Sequence, residues 1–353
     1  MIDNKRILSI AIFVAVLIAV AAGMKISSSR RHHQADAKAA LLGLWNYPAF
    51  GAGEDREEVC AYATEGAFPH VKLAQVKALL NKGADVNASA PWGGTTALME
   101  AAREGDAKCT AFLLSKGAKP NAKTSMGNTA LMDAACSGNV DCARVLIGRG
   151  AEVNAVRSDG ATALMLACCV GNVECVKFLI SKGANPNLKD AEGGTLLFAA
   201  ACGGHVDCLR YLASEGEDVS ARDSNGVTPL IQAAYPGTQS CVRFLIARGA
   251  DVNAIDHDGH TALIRATQII GEDNSAIAKT LIGHGADVNA KSVDGTTALM
   301  NACLRGDAES VGLLVSKGAD VNAKDKAGAT PLACTDAEFH PDIIAILKAA
   351  GAK

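Results

Sequence analysis

The stretch Asp159–Asn187 reads DGATALMLACCVGNVECVKFLISKGANPN, and its reading decides the fold. Asp159-Gly160 marks a tight turn. Thr162 stands before an Ala- and Leu-rich run, where its hydroxyl can accept from the free amides of a first helical turn. Gly171 breaks that run, and Asn172 after it suits the cap of a second helix. That helix ends at Gly183, where a left-handed cap favours glycine, with Lys182 well placed at the negative end of the dipole. The stretch therefore predicts a turn, two short helices and a loop.

Working outward, the same phrase recurs. The last residue of "GADVN" and its variants falls at Asn87, Asn121, Asn154, Asn187, Ser220, Asn253, Asn289 and Asn322. The Leu of "TALM" or "TPL" falls at Leu98, Leu131, Leu164, Leu197, Leu230, Leu263, Leu299 and Leu332. The step is 33 residues in most registers, and both rulers lengthen by three between Leu263 and Asn289, which places an insertion near Ile270 to Asn274. Such a period is the signature of a stacked array whose units cannot bury their apolar faces alone.

These registers resemble the ankyrin-repeat family over residues 57 to 353. The resemblance implies an all-α solenoid of stacked helix-turn-helix units with short β-turn or hairpin loops, and a role in binding other proteins. Residues 55–353 then form one domain of about eight or nine repeats, with 55–90 a degenerate first repeat lacking "TALM" and 323–353 a closing cap. The His that the family places after the Leu is here Met99, Met132, Met165, Phe198, Ile231, Ile264 and Met300. Core packing is the expected role of that stripe, since Met fills irregular gaps; the alternative is a ligand-binding stripe.

Residues 1–24 read differently. Ile7 to Gly23 is apolar apart from Ser9 and just long enough to span a bilayer. It is expected to be an N-terminal transmembrane signal anchor; the alternative is a signal peptide cleaved near Ala19-Val20-Ala21. Basic residues flank both ends (Lys5 and Arg6; Lys25, Arg30 and Arg31), so charge does not fix orientation. The short basic leader favours an extracytoplasmic array, periplasmic or extracellular; a secreted or cytoplasm-facing chain is the alternative. Residues 25–54 read as a tether.

Composition narrows function. The 34 Lys and Arg against 37 Asp and Glu leave a net charge of −3, against a broad nucleic-acid surface. No G-x-S-x-G or phosphate-binding Gly-Lys-Ser/Thr loop occurs, so no catalytic residue and no cofactor is expected. His257 and His260 are the one close His pair, without further metal-ligand spacing, so no metal is expected there.

Cysteine is the unusual feature: twelve in all, with Cys109, Cys142, Cys175, Cys208 and Cys241 spaced by 33. Cys136, Cys169 and Cys202 make a second ladder near the ends of first helices. Three readings arise. Cys is a small core hydrophobe; or Cys136–Cys142, Cys169–Cys175 and Cys202–Cys208 are disulfides across a helix-helix turn; or the second ladder supports thiol redox or metal chemistry.

The expected function is a non-enzymatic, membrane-tethered protein-binding scaffold, with a thiol redox or metal-handling protein as the alternative. Its groove would present Arg103, Glu104, Cys136, Ser137, Cys169, Cys202 and Tyr235. Its turn tips would add Trp92, Met126, Arg157, Arg222, His257 and His260. The partner is another protein; the oligomeric state is open.

Overall fold

Thr162 Oγ1 accepts the Met165 amide at 3.3 Å. That capping bond recurs along the computed structural model of the chain, which describes residues 73–90, 93–235, 237–268, 274–336 and 339–353. Thr96, Thr129, Thr228, Thr261 and Thr297 make the equivalent bond at 3.2–3.4 Å to Met99, Met132, Ile231, Ile264 and Met300. The apolar run 7–23, the tether 25–54, residues 55–72 of the degenerate first repeat and Trp92 lie outside the described residues.

The described helices are α1 (Leu73–Asn81), α2 (Ala97–Arg103), α3 (Ala107–Ser115), α4 (Ala130–Cys136), α5 (Val140–Gly148), α6 (Ala163–Cys169), α7 (Val173–Ser181) and α8 (Leu196–Cys202). They continue with α9 (Val206–Ser214), α10 (Pro229–Ala234), α11 (Gln239–Ala247), α12 (Ala262–Ala266), α13 (Asn274–Gly283), α14 (Ala298–Arg305), α15 (Ala308–Ser316) and α16 (Pro341–Ala349). Among the described residues there is no strand beyond the isolated bridges Ser89–Thr96 and Val156–Thr162. None of these helices is long and apolar enough to cross a membrane.

First helices α2, α4, α6, α8, α10, α12 and α14 pack successively on one another, and second helices form a parallel outer row. Asp106, Asn139, Asn172 and Asp307 start second helices by accepting from Cys109, Cys142, Cys175 and Ser310 amides at 2.8–3.0 Å. Asn139 and Asn172 act twice, since their Nδ2 groups also donate to Gly105 O and Gly138 O of the preceding unit. Gly183 has φ +88°, the left-handed value that lets the chain leave α7. Gly203 is required for another reason: a Cβ there would lie 1.9 Å from Cys169 O.

The core is one column of Leu, Ala, Met and Cys running through all the units. Leu131, Leu164 and Leu197 are at most 1 % exposed, and the stripe Met99 to Met300 is buried throughout. The stripe is therefore core packing. The Cys109 to Cys241 ladder is likewise buried, at 0–1 % exposure. On the outer row, cations lie over rings of the next unit: Lys77 over Phe112, Arg144 over Phe178, Lys177 over Tyr211 and Arg210 over Phe244, at 4.9–5.4 Å.

The hairpin tips are joined by backbone bonds from unit to unit, such as Ser158 N to Met126 O at 2.9 Å and Lys326 N to Asp294 O at 2.8 Å. The loop asparagines add a second ladder. Asn121 Nδ2 donates to Gly150 O at 2.9 Å while its Oδ1 accepts the Glu152 amide at 2.8 Å. The closing unit differs from the repeat pattern. Thr330-Pro331-Leu332 begins a turn rather than a full first helix, because Thr335 Oγ1 bonds back to Pro331 O and Asp336 follows.

Leu164→Ala is expected to destabilise the array by about 2–5 kcal/mol through the cavity it leaves. Thr162→Ala is expected to cost about 1 kcal/mol through loss of the cap. Urea unfolding followed by circular dichroism reads both. A cost at Leu164 no larger than about 0.5 kcal/mol, the surface range, would contradict this packing.

Candidate partner-binding groove

The C-termini of successive first helices form a row, because each first helix stacks on the last. Ser137 Oγ ties one step by donating to Ala102 O of the preceding unit at 3.1 Å. Along this row lie Arg103 and Glu104, Cys136 and Ser137, Cys169, Cys202 and Tyr235, half-buried apart from exposed Ser137. The tips beside it expose Met126 (53 %) and His257.

Several residues expected to contact a partner also make bonds within the frame. Arg222 Nη1 donates to Gly226 O and to Ile255 O of the next hairpin, at 2.8 and 2.7 Å. Arg157 pairs with Asp159 within its own turn. His260 is half-buried, its Nδ1 3.3 Å from Asp256 Oδ2. The sequence did not single out Val156, Ile255 and Val293, which are 43–57 % exposed on the tips, or Leu304, 64 % exposed at the end of α14. Each departs from the mostly polar residues around it, which was the available signal.

A polar column was also missed. The position after "ALM" reads Glu100, Asp133, Leu166, Ala199, Gln232, Arg265 and Asn301. Arg103 bridges the two acids, with Nη1 3.2 Å from Glu100 Oε1 and Nε 3.3 Å from Asp133 Oδ1. Asn128 Nδ2 donates to Asp133 Oδ1 at 2.9 Å, but Asp133 Oδ2 is buried without a hydrogen-bond partner. Burial pushes the Glu100 carboxyl up to about 7 against the pull of Arg103, with Asp133 and Glu104 adding to the rise. Burial also raises Asp133, which Arg103 and Asn128 only partly offset.

Arg265 occupies the same column towards the other end, with Nη2 2.9 Å from Asp256 Oδ2. Burial acts to raise Asp256, but the His260 amide and Arg265 outweigh it and hold the carboxyl below its usual range. Asp256, Asp258 and His260 bring ligand atoms within 4.8 Å of one another. That set is poor for a cation, because Asp256 already accepts from the Asp258 and His260 amides and from Arg265.

None of the three disulfides read from spacing joins its pair in the structure. The reason is direction. Cys142, Cys175 and Cys208 turn into the stack at 0 % exposure, whereas Cys136, Cys169 and Cys202 end the first helices half-buried beside the groove. Cys142 Sγ lies 3.7 Å from Thr110 Oγ1 of the preceding unit. Burial raises Cys109 to about 12 and Cys142, Cys175, Cys208 and Cys241 to about 11. These core thiols are poor nucleophiles, since the thiolate is the reactive form.

Two expectations follow from these shifts. The folded-state pKa of Glu100 lies above its unfolded value of 4.5, so its stabilising contribution is full below about 4.5 and is lost as pH rises through about 7. The array should therefore be more stable near pH 5 than near pH 8, by on the order of 2 kcal/mol, and Glu100→Gln should remove most of the difference. Equal denaturation midpoints for the parent chain at the two pH values would contradict the buried carboxyl. Native-state alkylation at neutral pH, mapped by mass spectrometry, should modify Cys109, Cys142, Cys175, Cys208 and Cys241 at least about a hundredfold more slowly than an exposed thiol.

The repeat geometry agrees with comparison to known families. A family model described as ankyrin repeats in three copies matches residues 66–157, 154–223, 215–292 and 269–353. No curated protein matches the chain. The match spans most of the chain in successive blocks, each covering units whose caps, loops and stacking are described above, and the chain belongs to the ankyrin-repeat family.

Proposed function

We propose that this chain is a protein-binding scaffold with no catalytic chemistry of its own, held at a membrane by residues 7–23 with its array outside the cytoplasm. Ankyrin repeats generally bind other proteins, which supports the first part. The observation that carries it is the unbroken row of first-helix ends from Arg103 to Tyr235, flanked by exposed apolar tips such as Met126 and Val156. A row of this kind offers side chains to an extended partner without any rearrangement of the core. The apolar run and its basic leader support the tether.

The partner-facing chemistry is mixed along the row. The first units set Glu104 and Arg103 at the groove, with Glu100 and Asp133 buried beneath, while the middle units offer the uncharged side chains of Cys169 and Cys202. Tyr235 supplies an aromatic anchor of the type that dominates interface energetics.

A photo-crosslinking residue at Met126 or Tyr235 in the full-length chain should capture the partner in native membranes. The same residue at Arg243, exposed on the outer helix α11, should not. With the captured partner purified, Tyr235→Ala should weaken binding about tenfold or more, and Arg243→Ala should leave it within about twofold. Capture from Arg243 alone would overturn the groove assignment, and turnover of a substrate by the purified chain would overturn the scaffold reading. A topology reporter fused after Lys353 tests the compartment separately.

A further inference from the structure

The loop-asparagine ladder is interrupted at two consecutive junctions. Asn87, Asn121, Asn154, Asn253, Asn289 and Asn322 each donate Nδ2 to a glycine carbonyl of the following unit and accept a backbone amide from it, at 2.8–3.1 Å. Asn187 has the right side chain but makes neither bond among the described residues, although its amide is tied to Asn185 Oδ1 at 3.0 Å as the amides of Asn253, Asn289 and Asn322 are tied two residues back. The next position is Ser220, whose amide is tied to Asp218 Oδ1 and whose hydroxyl makes no cross-unit bond among the described residues.

The two gaps share a cause in the loop between them. Each other unit follows its helix-ending glycine with alanine: Ala84, Ala118, Ala151, Ala184, Ala250, Ala286, Ala319 and Ala352. All of these are buried except half-buried Ala286 and Ala352. In the α8–α9 unit the residue is Glu217, a half-buried carboxylate without an ion-pair partner among the described residues. A carboxylate cannot take a methyl's buried seat without losing its hydration. Glu217 lies beside a cleft of about 580 Å³, also lined by Pro186, Asn187, Thr195, Leu212 and Asp218.

The helices of this unit are also less well secured than their counterparts. Thr195 alone among the threonines at described first-helix starts makes no capping bond, and its Oγ1 is buried without a hydrogen-bond partner among the described residues. His205 before α9 makes no side-chain cap either. The hairpins, by contrast, stay joined through both junctions: Ala191 N to Asp159 O at 2.9 Å and Ser224 N to Glu192 O at 2.7 Å, with Arg222 Nη1 also reaching Ile255 O of the following hairpin at 2.7 Å.

We propose that the α8–α9 unit is the hinge of the array: both of its junctions open at the loop edge while the hairpin tips stay paired and act as the pivot. The units up to α7 and those from α10 onward then change their relative angle here. The groove crosses this unit between Cys169 and Tyr235, so the hinge sets the curvature that a bound polypeptide meets. Cooperative units of unequal stability open separately, and removal of interface bonds concentrates opening where they are missing.

Hydrogen exchange on the full-length chain tests this through amides that are bonded within their own loop in every unit. The Glu217 amide, bonded to Leu212 O, should exchange about tenfold faster than the Ala151 amide, bonded to Leu146 O. Glu217→Ala combined with Ser220→Asn should restore the ladder, slow the Glu217-position amide about tenfold and leave Ala151 unchanged. Energy transfer between dyes on non-natural residues at 144 and 279 should show a narrower distance distribution in the repaired chain. Asn154→Ala should create a new fast-exchanging loop at Ala184. Equal exchange at Glu217 and Ala151 would overturn the hinge, as would a repaired chain with the parent's exchange and distance distribution. Failure of Asn154→Ala to loosen its junction would overturn it too, since the asparagine bonds would then not be what holds the units together.

Discussion

Every unit of this array depends on its neighbours to cover its apolar faces. A pair of helices of seven to nine residues, such as α6 and α7, has no interior of its own. Leu164 and Leu179 are dry only because α4, α8 and the flanking outer helices lie against them. That constraint fixes the small residues of the stack, since Ala, Gly and Cys let first helices approach closely. It also explains the burial of one cysteine per outer helix from Cys109 to Cys241, in a seat that accepts a small apolar side chain.

Cross-unit polar bonds do a different job from this burial. Every loop asparagine but Asn187 meets a carbonyl and an amide of the next unit, so it sets spacing and orientation where the apolar contacts alone would permit sliding. The surrounding exposure keeps each bond modest in strength. Repetition makes the ladder effective, and an interruption is therefore local in its effect. Glu217 and Ser220 change one neighbourhood and leave the remaining junctions as they were.

The groove borrows its chemistry from the same stacking. Glu100 and Asp133 come from successive units, and Arg103 lies between them because the helices that carry them are in contact. Burial is the main reason that the protonated form of Glu100 persists to unusually high pH; Arg103 opposes the rise, and the neighbouring Asp133 and Glu104 add to it. Leu166 and Ala199 continue the column without charge. The charged ends and neutral middle are thus a property of one position read along the array.

The sequence by itself determined the unit and its count. Threonine caps, glycine helix ends, Asp-Gly turns and the 33-residue step are local signals, and each is satisfied within a few residues of chain. It did not determine which side chains remain available. Arg157 and Arg222 read as turn-tip contacts, and the structure shows that they also bond Asp159 and the Ile255 carbonyl. The cysteines read first as small core side chains and alternatively as bridges across a turn; helix phase puts Cys142, Cys175 and Cys208 in the core and Cys136, Cys169 and Cys202 beside the groove. Only the tertiary structure decided these points, because burial and partnership depend on what the adjacent unit places opposite a residue. The linear spacing within one repeat does not contain that information.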